Sequence, residues 1–254
     1  GLYCRKHATD VNGFVLGGRS VGPWLTAFAY GTSYFSAVVF VGYAGQFGWK
    51  YGIAATWAGI GNAIIGSLLA WVVLGRRTRI MSQHLDSATM PQYFGKRFGS
   101  NPLKIGASVI IFIFLIPYTA SLYIGLSRLF CMAFNIDYSV CIIIMATLTA
   151  IYVMSGGYMA TAINDFIQGI IMLFGIVAVI AAVIHSKGGF MSALQGLANV
   201  SDPAVSNTPG IFASFFGPDP FNLLCVVILT SLGTWGLPQM VQKFYAIDNE
   251  ASIA

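Results

Sequence analysis

Charge is what this chain has least of: only 8% of its 254 residues are Asp, Glu, Lys or Arg, against 57% hydrophobic. Soluble domains carry about a quarter charged residues, so that balance excludes an ordinary soluble protein and leaves a membrane protein as the class that fits. Catalytic signatures are missing too. There is no GxxxxGK[ST], no GxGxxG after a strand, no HExxH and no nucleophile elbow. Nucleotide-driven work and hydrolysis therefore lack residues to carry them, and an enzyme is not expected. Cys4, Cys131, Cys141 and Cys225 show no CxxC spacing, which argues against zinc and disulfides and for buried thiols. Short alternating strands are absent, excluding a β-barrel, and no short-period repeat suggests a solenoid.

What is present is a set of long apolar runs. A hydrocarbon core of about 30 Å needs about 20 mostly apolar helical residues, and six runs come near that length: Trp24–Gly45, Ile53–Leu74, Ile105–Phe134, Tyr138–Ser155, Asn164–His185 and Phe221–Val241. The expected fold is therefore an all-α polytopic membrane protein with about six transmembrane helices. Lys and Arg collect in cytoplasmic loops, which tests the runs independently. With the amino-terminal segment inside, the inner stretches hold Arg5, Lys6, Arg19, Arg76, Arg77, Arg79, Lys96, Arg97, Lys104 and Lys243, and the outer ones only Lys50 and Lys187. Arg128, inside the third run, snorkels to an interface. Basic inner loops facing anionic lipid account for the net charge of +5, so no nucleic-acid partner is needed.

Punctuation along the chain gives local expectations. Pro23 suits a first helical turn. Ser87 reads as a cap for a short interfacial helix with Met90, Tyr93, Phe94 and Phe98 on its apolar face. Pro117 should kink its helix without ending it. The chain opens on GLYCRKHATD with no initiator Met and no leader, so an internal fragment of a longer protein is expected.

Three polar features interrupt the apolar background. AYGTSYFSAVV (Ala29–Val39) places Gly31, Thr32, Ser33, Tyr34 and Ser36 at mid-membrane depth. Small residues there let helices pack closely; a helix that unwinds there instead offers hydroxyls and carbonyls, as secondary transporters do at ion and solute sites. SLGTWGLPQ (Ser231–Gln239), with two glycines and a proline, is a second interruption. Asp165 is either a helix cap with Asn164 or a carboxylate on an ion pathway. Tyr118, beside Pro117, is either packing or a pocket wall.

FVLGGRSVGPWLTA, SGGYMATAINDFIQGIIMLFG and GLPQMVQKF, in that order and spacing, resemble the sodium:solute symporter family of sodium/proline, sodium/pantothenate, sodium/monocarboxylate and sodium/glucose carriers. The resemblance implies an inverted-repeat fold like that of the leucine transporter: ten core helices in two five-helix repeats after one extra helix. Residues 1–254 would then be a single membrane domain holding core helices one to six, with the extra amino-terminal helix and the carboxy-terminal helices lying outside it. It implies sodium held by the carbonyls of Thr32 and Phe35 with support from Ser36, further ligands beyond this chain, and Asp165 on the inner ion route. Solute would meet Ser33, Tyr34, Tyr118, Thr234, Trp235 and Gly236. The proline carriers have an acid where this chain has Tyr34 and aromatics where it has Thr230 and Thr234, which counts against proline. The first core helix is closer in wording to the monocarboxylate and vitamin branch. The implied activity is sodium-coupled uptake of an amino acid or small organic anion across a bacterial plasma membrane, with sodium as coupling ion and no organic cofactor. The alternative the resemblance leaves open is the membrane sensor domain of a histidine kinase built on the same fold. Oligomeric state is not legible.

Overall fold

The computed structural model describes residue 4, residues 10–35, residues 43–250 and residue 253. α1 (Val11–Leu16) starts on Asp10, whose carboxylate accepts from the Gly13 amide, and stops at Gly17 in the left-handed region. After the turn Gly17–Arg19, Pro23 opens α2 (Pro23–Tyr34), as expected of a residue with a fixed φ and no N–H to lose. Helical segments then follow one another over Gly45–His84: α3 (Gly45–Tyr51), which stops at Gly52 (φ 60°, ψ −138°), a turn at Gly52–Ala55, α4 (Thr56–Gly61), two π-helical segments (Asn62–Leu69 and Trp71–Gly75) and α5 (Arg76–His84).

The short helix α6 (Met90–Phe98) is capped by Thr89, which accepts from the Gln92 amide. Ser87, the expected cap, is fully buried instead, with its carbonyl taken by Arg19. α7 (Asn101–Phe134) passes through Pro117 without ending. α8 (Tyr138–Ser186) is 49 residues long, about 73 Å at 1.5 Å per residue and far more than one bilayer crossing needs. It divides at Gly157 (φ 55°, ψ −149°). The fourth and fifth runs thus meet there directly, and the second begins at Tyr158 where the sequence suggested Asn164. α9 (Phe190–Ala198) follows. α10 (Pro220–Gly233) bends by 52° through Thr234–Gly236 into α11 (Pro238–Ala246). Gly45–His84, α7 and α8 are each long and apolar enough to span a membrane, and the bent α10–α11 pair adds a fourth candidate. Large side chains such as Phe112, Phe114 and Phe174 stand exposed along α7 and α8, a surface that suits lipid or further protein rather than water.

The buried centre lies around α2 and α11. Leu16, Val21, Ala29, Tyr158, Ala162, Val241, Tyr245 and Ala246 form one cluster, and Tyr30, Tyr34, Ala70, Met240 and Phe244 another. The start of α2 and the end of α11 are joined by a parallel bridge between Val21 and Ile247. Two arginines hold that junction. Arg79, only 3% exposed, donates to the carbonyls of Ile247 at 2.7 Å and Asp248 at 3.0 Å and to Gln83 Oε1 at 2.9 Å. Arg19 donates to the Ser87 carbonyl at 2.8 Å and to Ser82 Oγ at 3.2 Å. Burial and then the neighbouring Arg79 charge push the Arg19 guanidinium below its ordinary value. Arg79, counted above as a loop charge, is therefore a buried donor fork reading main-chain oxygens.

Candidate ion and solute site

α2 keeps its helical winding through Gly31–Tyr34, and the chain leaves it at Phe35 (φ −90°, ψ 63°), whose amide still bonds the Gly31 carbonyl at 2.8 Å. The interruption thus falls at the end of the polar cluster, not at its glycine. Thr32 turns its hydroxyl back onto the Phe28 carbonyl at 2.8 Å, so that group is spent within its own helix. A last helical turn leaves carbonyls without an intrahelical donor, and Thr32 sits in that turn. Ser36 lies outside the described residues.

Tyr34 is the organising side chain. It is buried and donates to Asn62 Oδ1 at 2.5 Å. Asn62 in turn donates to Thr230 Oγ1 at 3.0 Å and to the Ala58 carbonyl at 2.7 Å, while Thr234 Oγ1 donates to the Tyr34 hydroxyl at 3.3 Å. Trp235 Nε1 donates to the Ile65 carbonyl at 2.9 Å and Tyr30 to the Gly66 carbonyl at 3.2 Å. Both acceptors sit in the π-helical segment. Such segments recur at functional sites.

Gly66 fits against this network because it has no side chain: a Cβ there would overlap the Tyr34 hydroxyl. Tyr34, Thr234 and Trp235 thus lie in one hydrogen-bonded and packed region, together with Asn62, Tyr30 and Thr230. An asparagine inside an apolar run was the available signal for Asn62. Ser33 is half-buried and Gly236 exposed. Tyr118 sits half-buried on α7, which packs on α6 and α8. Among the described residues no hydrogen bond or ring contact joins it to the Tyr34 network.

Asp165 is not a cap. It lies inside α8, past the Gly157 break, and its carboxylate pairs with Lys243 of α11 at 3.7 Å. Lys243, also counted above as a loop charge, is buried and stands 5.0 Å from the centroid of the Tyr158 ring. One helical turn beyond Asp165, Gly169 leaves room for α2: a Cβ there would be 2.7 Å from Phe28 and 3.0 Å from the Thr32 methyl. Phe28 and Phe166 close the same contact edge to face, with centroids 4.8 Å apart. Thr32 therefore packs on α8 one helical turn from Asp165.

Long apolar helices together with a bent α10–α11 pair define a polytopic helical membrane protein. The chain belongs to the sodium:solute symporter family, which matches residues 14–254. It is 31% identical over 250 residues to the osmoregulated proline transporter OpuE of Bacillus subtilis (strain 168), across 97% of this chain and 49% of that protein. It is 32% identical over 257 residues to a sodium/proline symporter of Staphylococcus aureus (strain JH9), across 97% of this chain and 47% of that protein. The chain spans about half the length of the curated relatives it matches.

Proposed function

We propose that the full-length parent is a sodium-coupled symporter importing a small organic solute by alternating access. In this reading residues 1–254 supply core helices one to six, with the amino-terminal segment on the cytoplasmic side of a bacterial plasma membrane. The observation that carries it is the meeting of a helix end with a helix bend: α2 ends at Tyr34, α10 bends 52° into α11, and Thr234 at the bend hydrogen-bonds Tyr34. Interrupted helices are how secondary transporters present backbone and side-chain oxygens to ions and solutes. Backbone at membrane depth tolerates such breaks only where protein or a cavity satisfies it.

Sodium takes the carbonyls of Thr32 and Phe35 with help from Ser36, and Asp165 lies on its inner route. The solute meets Ser33, Tyr34, Thr234, Trp235 and Gly236, with Asn62 fixing the Tyr34 hydroxyl and Tyr118 contributing from α7. The relatives' names put proline first among amino acids. Tyr34, Thr230 and Thr234 keep a monocarboxylate or pantothenate-like anion beside it. Those relatives are transporters by name, which favours a carrier over a sensor.

The test is uptake of labelled proline, pantothenate, pyruvate, lactate, glucose and sialic acid by cells making the full-length parent, in sodium or in choline. Uptake of one member in sodium alone supports the reading. Uptake that is the same in choline sinks it.

A further inference from the structure

We infer that Lys243 is a tethered counter-ion that competes with sodium for the Asp165 carboxylate, an inference that rests on the symport reading above. Lys243 sits on α11 beyond the 52° bend, and Asp165 on α8 beyond the Gly157 break. The pair therefore joins two elements that each follow a discontinuity. Both side chains are withdrawn from solvent, at 7% and 22% exposure, so neither charge is stable there without the other or a substitute.

The pair is nevertheless loose. Its 3.7 Å separation exceeds the roughly 2.8 Å of a charge-assisted hydrogen bond. A compact ammonium on a flexible stem, unlike a guanidinium fork, does not lock a carboxylate in place.

Among the described residues, the surroundings hold further buried polar atoms without a hydrogen-bond partner. The Tyr158 hydroxyl is buried without a partner, although its ring lies beside the Lys243 ammonium. On α11, Gln239 stands one turn before Lys243 with both amide atoms buried and unpartnered, and residues four apart share a helix face. Buried polar atoms are ordinarily hydrogen-bonded, and in this reading these groups serve the exchange of one cation for another at the carboxylate.

The second cation has a source close by. Gly169, one turn along α8 from Asp165, is the point where Thr32 packs, and Thr32 is where the symport reading places sodium. If both cations use one carboxylate, each weakens the other by the same factor. Arrival of sodium frees Lys243 and with it the position of α11. Departure of sodium returns the ammonium, so Asp165 is never left buried and unpaired.

The test uses the purified full-length parent in detergent, titrated with sodium chloride against choline chloride at constant ionic strength. The readout is the sodium concentration giving half the maximal thermal stabilisation. Lys243→Gln should lower that concentration by about fivefold, the low end of ordinary coupling between sites. Lys243→Arg keeps the charge, so it stays readable if the neutral variant fails to fold, and as a stronger carboxylate partner it should raise the concentration. Asp165→Asn should abolish the difference between Lys and Gln at position 243. If the variants that fold stay within about twofold of the parent, below the range of ordinary coupling, the competition is refuted. A parent that sodium does not stabilise over choline overturns the symport reading itself.

Discussion

The Tyr34 hydroxyl donates to the side-chain oxygen of Asn62 at 2.5 Å, across 28 positions of sequence. That bond ties the end of α2 to the π-helical segment. Asn62 then hands its amide to Thr230, and Thr234 returns a hydrogen bond to Tyr34. Three elements are thereby fixed to one another by side chains that an apolar environment would otherwise penalise.

Replacing Tyr34 with Phe removes the donor to Asn62 and the acceptor for Thr234 while keeping the ring. Leaving a buried polar partner unsatisfied costs about 1–3 kcal/mol. Tyr34→Phe should therefore lower the thermal midpoint of the purified parent and weaken solute uptake. Thr234→Val, which leaves the Tyr34–Asn62 bond in place and removes the 3.3 Å bond to Tyr34 and a local 2.8 Å bond to the Ser231 carbonyl, should do less. Equal effects would show that the network is not centred on Tyr34.

Arg79 should matter far more to stability than Arg76. Arg79 places three donors on Ile247, Asp248 and Gln83, which a lysine head cannot reproduce. Arg79→Lys should lose about 2 kcal/mol or more, the scale of hydrogen bonds to a charged group. Arg76 makes an exposed pair with Glu250, and Arg76→Ala should lie within about 1 kcal/mol of the parent. Denaturation in detergent compares them.

Gly157→Ala should destabilise the fold strongly. The position sits at φ 55° and ψ −149°, a region essentially reserved for glycine and costing about 1–3 kcal/mol otherwise. Its Cβ would also fall 2.7 Å from the Phe14 carbonyl oxygen. The measurement is the amount of parent protein in the membrane, expected to fall sharply; normal levels would mean the chain can turn there without glycine.

Local chemistry was legible in the sequence and long-range pairing was not. Gly233, Gly236 and Pro238 announced the break between α10 and α11, and Pro23 the start of α2, because each residue acts through its own backbone. Ser87 misled because Thr89, two positions on, also suits a cap, and only tertiary burial by Arg19 separates them. The cap reading of Asp165 rested on starting the fifth run at Asn164. Gly157 makes the break between the fourth and fifth runs, so the helix begins seven residues before Asp165. Lys243 and Arg79 read as loop charges, since nothing near them in sequence names Asp165 or the Ile247 carbonyl as partner. Asn62 was passed over for the same reason: Tyr34, Ala58 and Thr230 surround it only once the helices pack.

Gly169→Ala tests the closeness of Thr32 to α8 without altering any polar group. The added methyl would meet the Phe28 ring at 2.7 Å and the Thr32 methyl at 3.0 Å, so those side chains, or α2 with them, must shift at the turn that carries the sodium reading. Overpacking of this kind costs about 1–3 kcal/mol. The half-saturating sodium for uptake should rise, with smaller change in the solute concentration needed at saturating sodium. An unchanged sodium requirement would separate Thr32 from the ion site.

The most direct measurement is equilibrium binding of labelled solute, proline first and then whichever panel member is taken up, to the purified full-length parent with sodium and with choline. Coupled sites must tighten one another by the same factor. Sodium is expected to raise solute affinity, and saturating solute to lower by that same factor the sodium needed for half-maximal effect. Solute binding that is tight and indifferent to sodium would contradict the account.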